Sequence, residues 1–276
     1  MGMNKLTTQK RAQILGMLCE GMSLRATSRL ADVSINTVTK LLVDVGTACA
    51  AYQDKALRDL NCKRVQVDEI WSFTYAKAKN VKTAVAAPEG AGDTWTWTAI
   101  DADSKLIVSW LVGGSDAGYA HEFMQDVASR LANRVQLTSD GHAPYLAAVE
   151  DAFGADVDYA TLVKLYGNAP EGQRRYSPAV CTGARKNRIE GDPDPKHVDT
   201  SFVERQNLTM RMHMRRFTRL TNGFSKKVEN HAHAVALHFM FYNFCRIHKT
   251  LRVTPAMQAG VAKHVWTLEE VAQLAD

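Results

Sequence analysis

Two aspartates in the middle of the chain have the residue type and placement to hold a divalent metal ion. Asp68 lies at the end of an alternating stretch that predicts a strand, and Asp140 follows directly on a second, short predicted strand. If these strands are neighbours in one sheet, their ends present both carboxylates to one metal site. Taken singly, each aspartate also fits a solvated turn, and Ser-Asp-Gly is a good turn former. Glu69, Asp101 and Asp103 are rival carboxylates, and solvation in a hairpin turn explains the last two.

A third acid lies near the start of a basic helix that is predicted over residues 202–220. Ser201 and Glu204 match the S-x-x-E capping box, which gives Glu204 a structural role. On a regular helix, Arg211 and Arg215 point within about 20° of the direction of Glu204. An acid that binds a metal, followed by arginines that bind a nucleic-acid backbone, is an arrangement suited to phosphodiester chemistry.

The basic residues are concentrated in one block of the sequence. Residues 200–252 contain ten lysines and arginines against two acids, although the net charge of the whole chain is only +5. Such a block is either a solvated face or a binding surface for a polyanion, with nucleic acid the first candidate. The candidate phosphate-binding residues here are Arg211, Arg215, Arg216, Arg219, Lys226 and Lys227.

The first fifty residues have the pattern of a helix-turn-helix. The predicted helices span residues 9–20, 24–30 and 35–45. Ser23 and Ser34 are predicted to cap the second and third helices, and Gly46 is predicted to end the third. A capped second helix after a tight turn is the arrangement that enters the DNA major groove, although a helical hairpin that only packs has the same pattern. The predicted DNA contacts are Arg25 and Arg29 to phosphates, and Asn36, Thr37, Thr39 and Lys40 in the groove.

The elements that position the acids follow a recognisable order. From residue 64 the sequence predicts three strands, helix, strand, helix, strand, helix, with an antiparallel meander at one edge. This is the element order of a ribonuclease-H-like mixed α/β fold. A long Gly-, Pro- and Arg-rich stretch near residues 167–198 is predicted to be a loop. The predicted domains are a helix-turn-helix at 1–60, a catalytic core at 61–256 with a basic loop insertion at 170–200, and a C-terminal helical tail at 257–276.

Three blocks together resemble a known enzyme family. VDEIWSF around Asp68, LTSDG around Asp140 and SFVERQNLTMR around Glu204 resemble the acidic triad of DDE transposases, and in particular the IS-one family of bacterial insertion sequences. The later run YNFCRIHK, followed by a Leu and Thr-Pro, resembles the YN-x-x-R-x-H…L…TP ending of transposase and integrase cores. The resemblance covers about residues 64–256. IS-one-type proteins can carry an N-terminal zinc-binding segment, for which this chain lacks the cysteines.

The resemblance implies a function as well as a fold. A triad of Asp68, Asp140 and Glu204 would hold two Mg²⁺ or Mn²⁺ ions and cut DNA at the terminal inverted repeats of a transposon. The freed 3′ end would then be joined to target DNA, with Arg211 and His248 as auxiliary residues. The implied partner is double-stranded DNA, bound by a homo-oligomer in the bacterial cytoplasm. The alternatives are a helix-turn-helix regulator with an inactive core and a structure-specific nuclease of the same fold.

Composition excludes several other classes. With 46% hydrophobic and 23% charged residues the chain reads as an ordinary globular protein, and no apolar run approaches the ~18 residues of a membrane helix. Five scattered cysteines, none in a C-x-x-C pair, predict a reduced protein without a cysteine-based zinc site.

A stripe of potential zinc ligands recurs at seven-residue intervals, at His231, His238 and Cys245. Neighbours in this stripe are about 10.5 Å apart along a helix, so they cannot share one zinc ion. We therefore expect these three side chains to pack or to face a partner.

Overall fold

The chain begins with three helices. The computed structural model describes residues 6–167, 180–218 and 222–276. The helices are α1 (Thr8–Cys19), α2 (Leu24–Ala31) and α3 (Ile35–Ala56). Ser23 Oγ accepts a hydrogen bond from the Ala26 N–H at 3.1 Å, and Ser34 Oγ accepts one from the Asn36 N–H at 3.2 Å. Both predicted N-caps are therefore confirmed.

A six-stranded mixed sheet follows. Its strands are β1 (Arg64–Thr74), β2 (Gly92–Asp101), β3 (Ile107–Gly113), β4 (Val135–Ser139), β5 (Val157–Tyr166) and β6 (Cys181–Glu190), in the order β3-β2-β1-β4-β5-β6. β1, β4 and β5 are parallel, whereas β2, β3 and β6 pair antiparallel with their neighbours. The first five strands have the order and directions of a ribonuclease-H-like sheet, and β6 extends one edge. The predicted fold class and antiparallel meander are confirmed.

Helices cover this sheet. They are α4 (Ala78–Val81), α5 (Ala117–Arg130), α6 (Pro144–Phe153), α7 (Ser201–His213), α8 (Val228–Met240), α9 (Pro255–Gln258) and α10 (Leu268–Gln273). Short 3₁₀ turns lie at Pro195–His197 and Arg215–Phe217, and a π-helical turn at Phe241–Cys245 continues α8. α7 buries Val203 and Met210 in a cluster with Ile70 of β1 and Phe239 of α8. This packing fixes α7 beside the middle of β1.

The third helix is longer than predicted because Gly46 does not end it. α3 continues to Ala56, and it packs along α8. A Cβ atom at position 46 would lie 2.6 Å from both the Cβ and the carbonyl oxygen of His233 on α8. Gly46 is therefore the close-approach point of two helices, and it has no role as a C-cap.

The predicted loop insertion at 170–200 is also wrong in part, because residues 181–190 form β6. Only Asn187 of this strand is even partly buried, so the sequence carries no alternation of apolar residues that would indicate a strand. Its position is set by backbone pairing with β5. Residues 168–179 of the predicted loop lie outside the described residues.

One hydrophobic cluster connects the N-terminal helices to the sheet. It includes Leu15 of α1, Val45 of α3, Val67 of β1, Leu237 of α8 and Val271 of α10. No helix among the described residues is long and apolar enough to span a membrane.

Candidate active site

Three carboxylates meet where β4 ends beside β1. One oxygen each from Asp68, Glu69 and Asp140 lies within 4.8 Å of the others. β1 and β4 are neighbours, as predicted, and the pairing of Gln66 with Thr138 brings Asp68 level with Asp140 two residues further on. Asp68 does not lie at a strand end, however, because β1 runs on to Thr74.

Asp68 and Glu69 approach Asp140 from opposite faces of β1. Asn207 of α7 donates a hydrogen bond through Nδ2 to Asp68 Oδ2 at 2.8 Å. Tyr145 of α6 donates its hydroxyl proton to Glu69 Oε2 at 3.1 Å. Asp140 lies beyond the last residue of β4, where both faces of the sheet can be reached, which explains how adjacent residues of one strand converge on it.

Asp140 has its own backbone support. Its Oδ1 accepts a hydrogen bond from the His142 N–H at 2.8 Å, which closes an Asx turn directly after β4. The His142 ring contacts another loop, with Nε2 3.3 Å from the carbonyl oxygen of Ser115. The turn therefore fixes the Asp140 carboxylate, and the histidine side chain supports the loop.

Burial and mutual repulsion perturb the acids. The pKa of Asp68 is raised to about 7, first by desolvation and then by the charges of Glu69, Asp140 and Glu204. The pKa of Glu69 is also raised to about 7 by burial and by Asp140, against the opposing effect of the Tyr145 hydroxyl. A divalent cation would relieve this repulsion, because it favours the ionised form of every carboxylate around it.

Glu204 lies outside this cluster and has partners of its own. Lys164 Nζ on β5 forms an ion pair with its Oε2, and Thr200 Oγ1 donates a hydrogen bond to its Oε1 at 2.6 Å. The charge of Glu204 nevertheless contributes to the raised pKa of Asp68, so Glu204 acts on the cluster electrostatically without belonging to it.

The predicted capping box is wrong. α7 begins at Ser201, whose hydroxyl donates to the side chain of Asp199, and the N-cap Thr200 makes no side-chain hydrogen bond to the helix backbone. The side chain of Glu204 bonds to the Lys164 ammonium and the Thr200 hydroxyl, and not to a backbone N–H at the start of the helix as a capping box requires. Because Glu204 does not cap α7, its carboxylate can act at the acidic site.

The donor set fits a hard divalent cation. Carboxylate and amide oxygens are the ligands that Mg²⁺ and Mn²⁺ prefer. Asn207 Oδ1 is buried without a hydrogen-bond partner among the described residues, beside the amide nitrogen that holds Asp68. An ion, or water held by an ion, would satisfy this oxygen.

The predicted stripe of arginines is wrong beyond Arg211. α7 ends at His213, because Met214 has an extended backbone with φ −121° and ψ 109°. Arg215 and Arg216 therefore lie in a 3₁₀ turn, out of line with Glu204. Arg211 is exposed on the last turn of α7, and Lys226 and Lys227 are exposed just before α8. Arg219 lies outside the described residues.

The other predicted DNA contacts lie on the N-terminal helices. Arg25, Arg29, Asn36 and Lys40 are exposed, and Thr37 and Thr39 are partly so. Lys40 Nζ is 2.6 Å from Asp44 Oδ2, and the Thr39 hydroxyl donates to the Ile35 carbonyl oxygen at 2.9 Å. Their assignment to DNA stays a prediction, and so does the helix-turn-helix.

The remaining histidines are not joined to the acidic site. No hydrogen bond among the described residues links His248 to a carboxylate, and its Nδ1 is buried without a partner. His231 is buried between the hydroxyls of Ser72 and Ser225, at 3.3 and 2.9 Å. Within the described ranges the only group of potential metal ligands is the acidic one, so His231, His238 and Cys245 form no metal site there.

Sequence reasoning missed several residues of the site. Glu69 was only a rival, and Tyr145 is typical of the apolar face of a helix. Two of the missed residues had a signal in the sequence. Asn207 lies three residues after Glu204, nearly one helical turn along the same helix, and Lys164 is a single charge in the apolar run TLVKLY. Asp101 is buried and accepts hydrogen bonds from Ser104, so solvation does not explain it.

Comparisons with known proteins give weak structural likenesses only. No protein-family model matches the chain, and no curated protein matches it, so the resemblance to the IS-one family stays a prediction. A Mos1 transposase paired-end complex with the left transposon end aligns with 58% of this chain and 60% of that chain, at 13% identity and a TM-score of 0.25. The chain thus spans less than two thirds of that transposase.

Two further structures align over more of the chain. The Mos1 strand transfer complex covers 86% of this chain and 78% of that one, at 12% identity and a TM-score of 0.25. A piggyBac transposase synaptic complex with hairpin DNA covers 97% and 69%, at 10% identity and a TM-score of 0.37. These scores are too low to carry a conclusion about activity, and the fold assignment depends on the sheet order and strand directions given above.

Proposed function

We propose that this protein is an insertion-sequence transposase, which cleaves DNA at transposon ends and joins the freed 3′ ends to target DNA. The observation that carries the proposal is the meeting of Asp68 and Asp140 at neighbouring strands, with Glu204 on the adjacent helix. Two Mg²⁺ or Mn²⁺ ions bound there would activate water and stabilise a leaving 3′ oxygen. Asp68, Asp140 and Glu204 would hold these ions, and Asn207 orients Asp68.

The ion pair between Lys164 and Glu204 must open before Glu204 can bind a metal ion. Lys164 Nζ pairs with the Glu204 carboxylate, and both side chains are about one-third exposed. A metal ion held by Glu204 would take the place of this lysine at a partly exposed carboxylate. Lys164 would then lie beside the site, where its ammonium is placed to contact a DNA phosphate.

The basic residues support DNA as the substrate. Arg211 is exposed about two turns further along α7 than Glu204. There it would contact the DNA backbone, with His248 as a second auxiliary candidate. The helix-turn-helix residues on α2 and α3 bind the terminal inverted repeats. Two transposon ends require two catalytic sites, so we propose a homo-oligomer on DNA in the bacterial cytoplasm.

A cleavage assay tests this function directly. A plasmid that carries the gene with its flanking DNA is incubated with purified protein and Mn²⁺, and new 3′ ends are mapped. We expect breaks at inverted repeats, and some ends joined to new sites, that are lost with EDTA and in Glu204→Gln. Breaks without any joining would point to a nuclease of the same fold.

One observation favours a second function. Glu204 is engaged by Lys164 and lies outside the acidic cluster, as it could in a protein that binds its DNA without cutting it. Such a protein would be a helix-turn-helix regulator of its own element. Specific binding at the repeats, with no breaks in Mn²⁺ or Mg²⁺, would establish this alternative.

A further inference from the structure

A second site lies away from the acidic cluster. A cavity of about 680 Å³ is enclosed by α1, the starts of α2 and α3, the segments 214–216 and 222–226, and α8. Its volume is that of a typical small-molecule site. None of the four carboxylates of the candidate active site lines it.

His238 is an unsatisfied polar group in the wall of this cavity. Its side chain is buried, with 4% of the residue exposed, and neither ring nitrogen has a hydrogen-bond partner among the described residues. Burial and the charges of His213 and Arg246 lower its pKa to about 3, so the ring is neutral. A neutral imidazole offers one donor and one acceptor, which matches a ligand group that presents both.

Arg216 is a cation in the same wall without an acidic partner. Its Nη1 donates to Ser225 Oγ at 2.7 Å, and no carboxylate among the described residues affects its pKa. Burial lowers its pKa to about 10. The sequence from Arg205 to Val228 contains no Asp or Glu, so this part of the chain supplies no carboxylate to neutralise it. The missing partner of such a partly buried cation is an anion.

The rest of the lining combines positive charge with apolar surface. Arg25, Arg215 and Lys226 add three cations, and the described residues of the lining include no carboxylate. The apolar wall is formed by leucines of α1, α2, α3 and α8 together with Ile35 and Phe224. An occupant that matches this lining has an anionic group and an apolar body that carries hydrogen-bonding groups.

We propose that this cavity binds one nucleotide, with the phosphate on Arg216 and the base against His238. An unpaired nucleotide within bound DNA and a free mononucleotide share this chemistry. DNA is the favoured source, because Ser23 and Ile35, at the starts of the two helices proposed to contact DNA, both line the cavity. This choice of source rests on the proposed DNA-binding function.

Paired probes and variants test the proposal. Fluorescence anisotropy at one fixed salt concentration compares a fully paired duplex with the same duplex carrying one unpaired adenosine, and calorimetry measures binding of free dAMP. The variants are His238→Leu, which removes both nitrogens, and Arg216→Met, which removes the charge. Arg252→Met removes an exposed arginine outside the cavity and is the matched control.

The wild-type protein should bind the duplex with the unpaired nucleotide at least about tenfold more tightly than the paired duplex. We expect His238→Leu and Arg216→Met to abolish this preference and Arg252→Met to retain it. Because His238→Leu removes two buried unpaired atoms, its melting temperature should equal or exceed that of the wild type. Loss of the preference in this variant therefore cannot be attributed to misfolding.

The two probes separate the outcomes. Binding of dAMP that both cavity variants lose, without a preference among duplexes, would support the cavity with a free nucleotide as its ligand. The same dAMP result without any duplex binding would support the cavity while the proposed DNA function fails. Duplex binding with neither a preference nor dAMP binding would overturn the cavity proposal alone, as would retention of both properties by both cavity variants.

Discussion

Either Glu69 or Glu204 could be the third carboxylate that binds a metal ion together with Asp68 and Asp140. The choice between them defines the active site. Glu69 reaches Asp140 from the α6 face of β1, whereas Glu204 lies on α7, the helix that also supplies Asn207 to Asp68. The Glu69 carboxylate accepts a hydrogen bond from the hydroxyl of buried Tyr145. The Glu204 carboxylate is paired instead with a partly exposed lysine, which a metal ion can displace more easily. This difference favours Glu204 as the third metal ligand.

Substitution of each acid tests this choice. We expect Asp68→Asn, Asp140→Asn and Glu204→Gln each to lower DNA cleavage at least about 100-fold, since removal of a metal ligand costs more than removal of an outer partner. DNA binding, measured by gel shift, should be largely unchanged. Glu69→Gln is the matched control and should lower cleavage less than about tenfold. The reverse order for the two glutamate variants would assign the role to Glu69.

The raised pKa of Asp68 predicts a pH-dependent stability. The folded protein holds a proton at Asp68 up to about pH 7, whereas the unfolded chain releases it near the ordinary carboxyl value, about 4. The stability contributed by this proton is fully present below about pH 4 and is lost as the pH rises to about 7. Asp68→Asn removes the ionisable group and should therefore stabilise the protein at pH 8, by about 2 kcal/mol, with a smaller effect at pH 5.

Thermal melts in EDTA at both pH values measure this effect. Asp44→Asn, which removes an exposed carboxyl group on α3 away from the site, serves as the control. Equal effects of Asp68→Asn at pH 5 and pH 8 would contradict the explanation by burial and repulsion.

The secondary-structure elements show how far the sequence predicts the fold. The capped N-terminal helices were predicted within a residue or two, as α1 and α2 illustrate. The antiparallel meander at the sheet edge was also predicted, and the β2–β3 pairing confirms it. Three of the errors could not be foreseen from the sequence pattern. Gly46 has the sequence signal of a helix end but is a contact point with His233, β6 is specified by pairing with β5, and α7 ends at His213 without a following glycine or proline.

The candidate site also has a part that the sequence predicts and a part that depends on tertiary packing. The convergence of Asp68 and Asp140 could be predicted, because parallel strands bring their ends together. The involvement of Lys164 and Tyr145 could not, because it depends on how β5 and α6 pack around the acids.

The contact between α3 and α8 predicts an unusual response to an alanine substitution. Gly→Ala inside a helix is normally stabilising by up to about 1 kcal/mol. At position 46 the new Cβ would meet the backbone of His233 at 2.6 Å, and such overpacking costs about 1–3 kcal/mol. Gly46→Ala should therefore lower the melting temperature.

Gly16→Ala in α1 is the matched control for that substitution. Its Cβ would lie 3.2 Å from the flexible end of Leu268, which can move. We expect this variant to be neutral or stabilising in the same denaturation experiment. A stabilised Gly46→Ala protein would show that α3 and α8 are less closely packed than the structure has them.

The whole molecule separates opposite charges. The net charge of +5 combines an acidic cluster in the sheet with basic residues on α2, α3 and the segment after Glu204. For a polyanionic substrate, the basic surfaces supply affinity while the acids repel the backbone until cations neutralise them. Binding should therefore weaken steeply with salt.

This division of charge predicts two kinds of DNA-binding variant. Asn36→Ala with Lys40→Ala alters the first two turns of α3, which we propose to read base edges, and should weaken binding to the terminal repeats more than binding to unrelated duplex. Arg211→Met removes a proposed phosphate contact, so it should weaken both alike and reduce the slope of log affinity against log salt by about 1. Anisotropy titrations over a range of NaCl concentrations measure both effects. Unaltered discrimination in the α3 double variant would exclude the helix-turn-helix as the reader of the transposon ends, and an unchanged slope in Arg211→Met would place the DNA backbone elsewhere on the molecule.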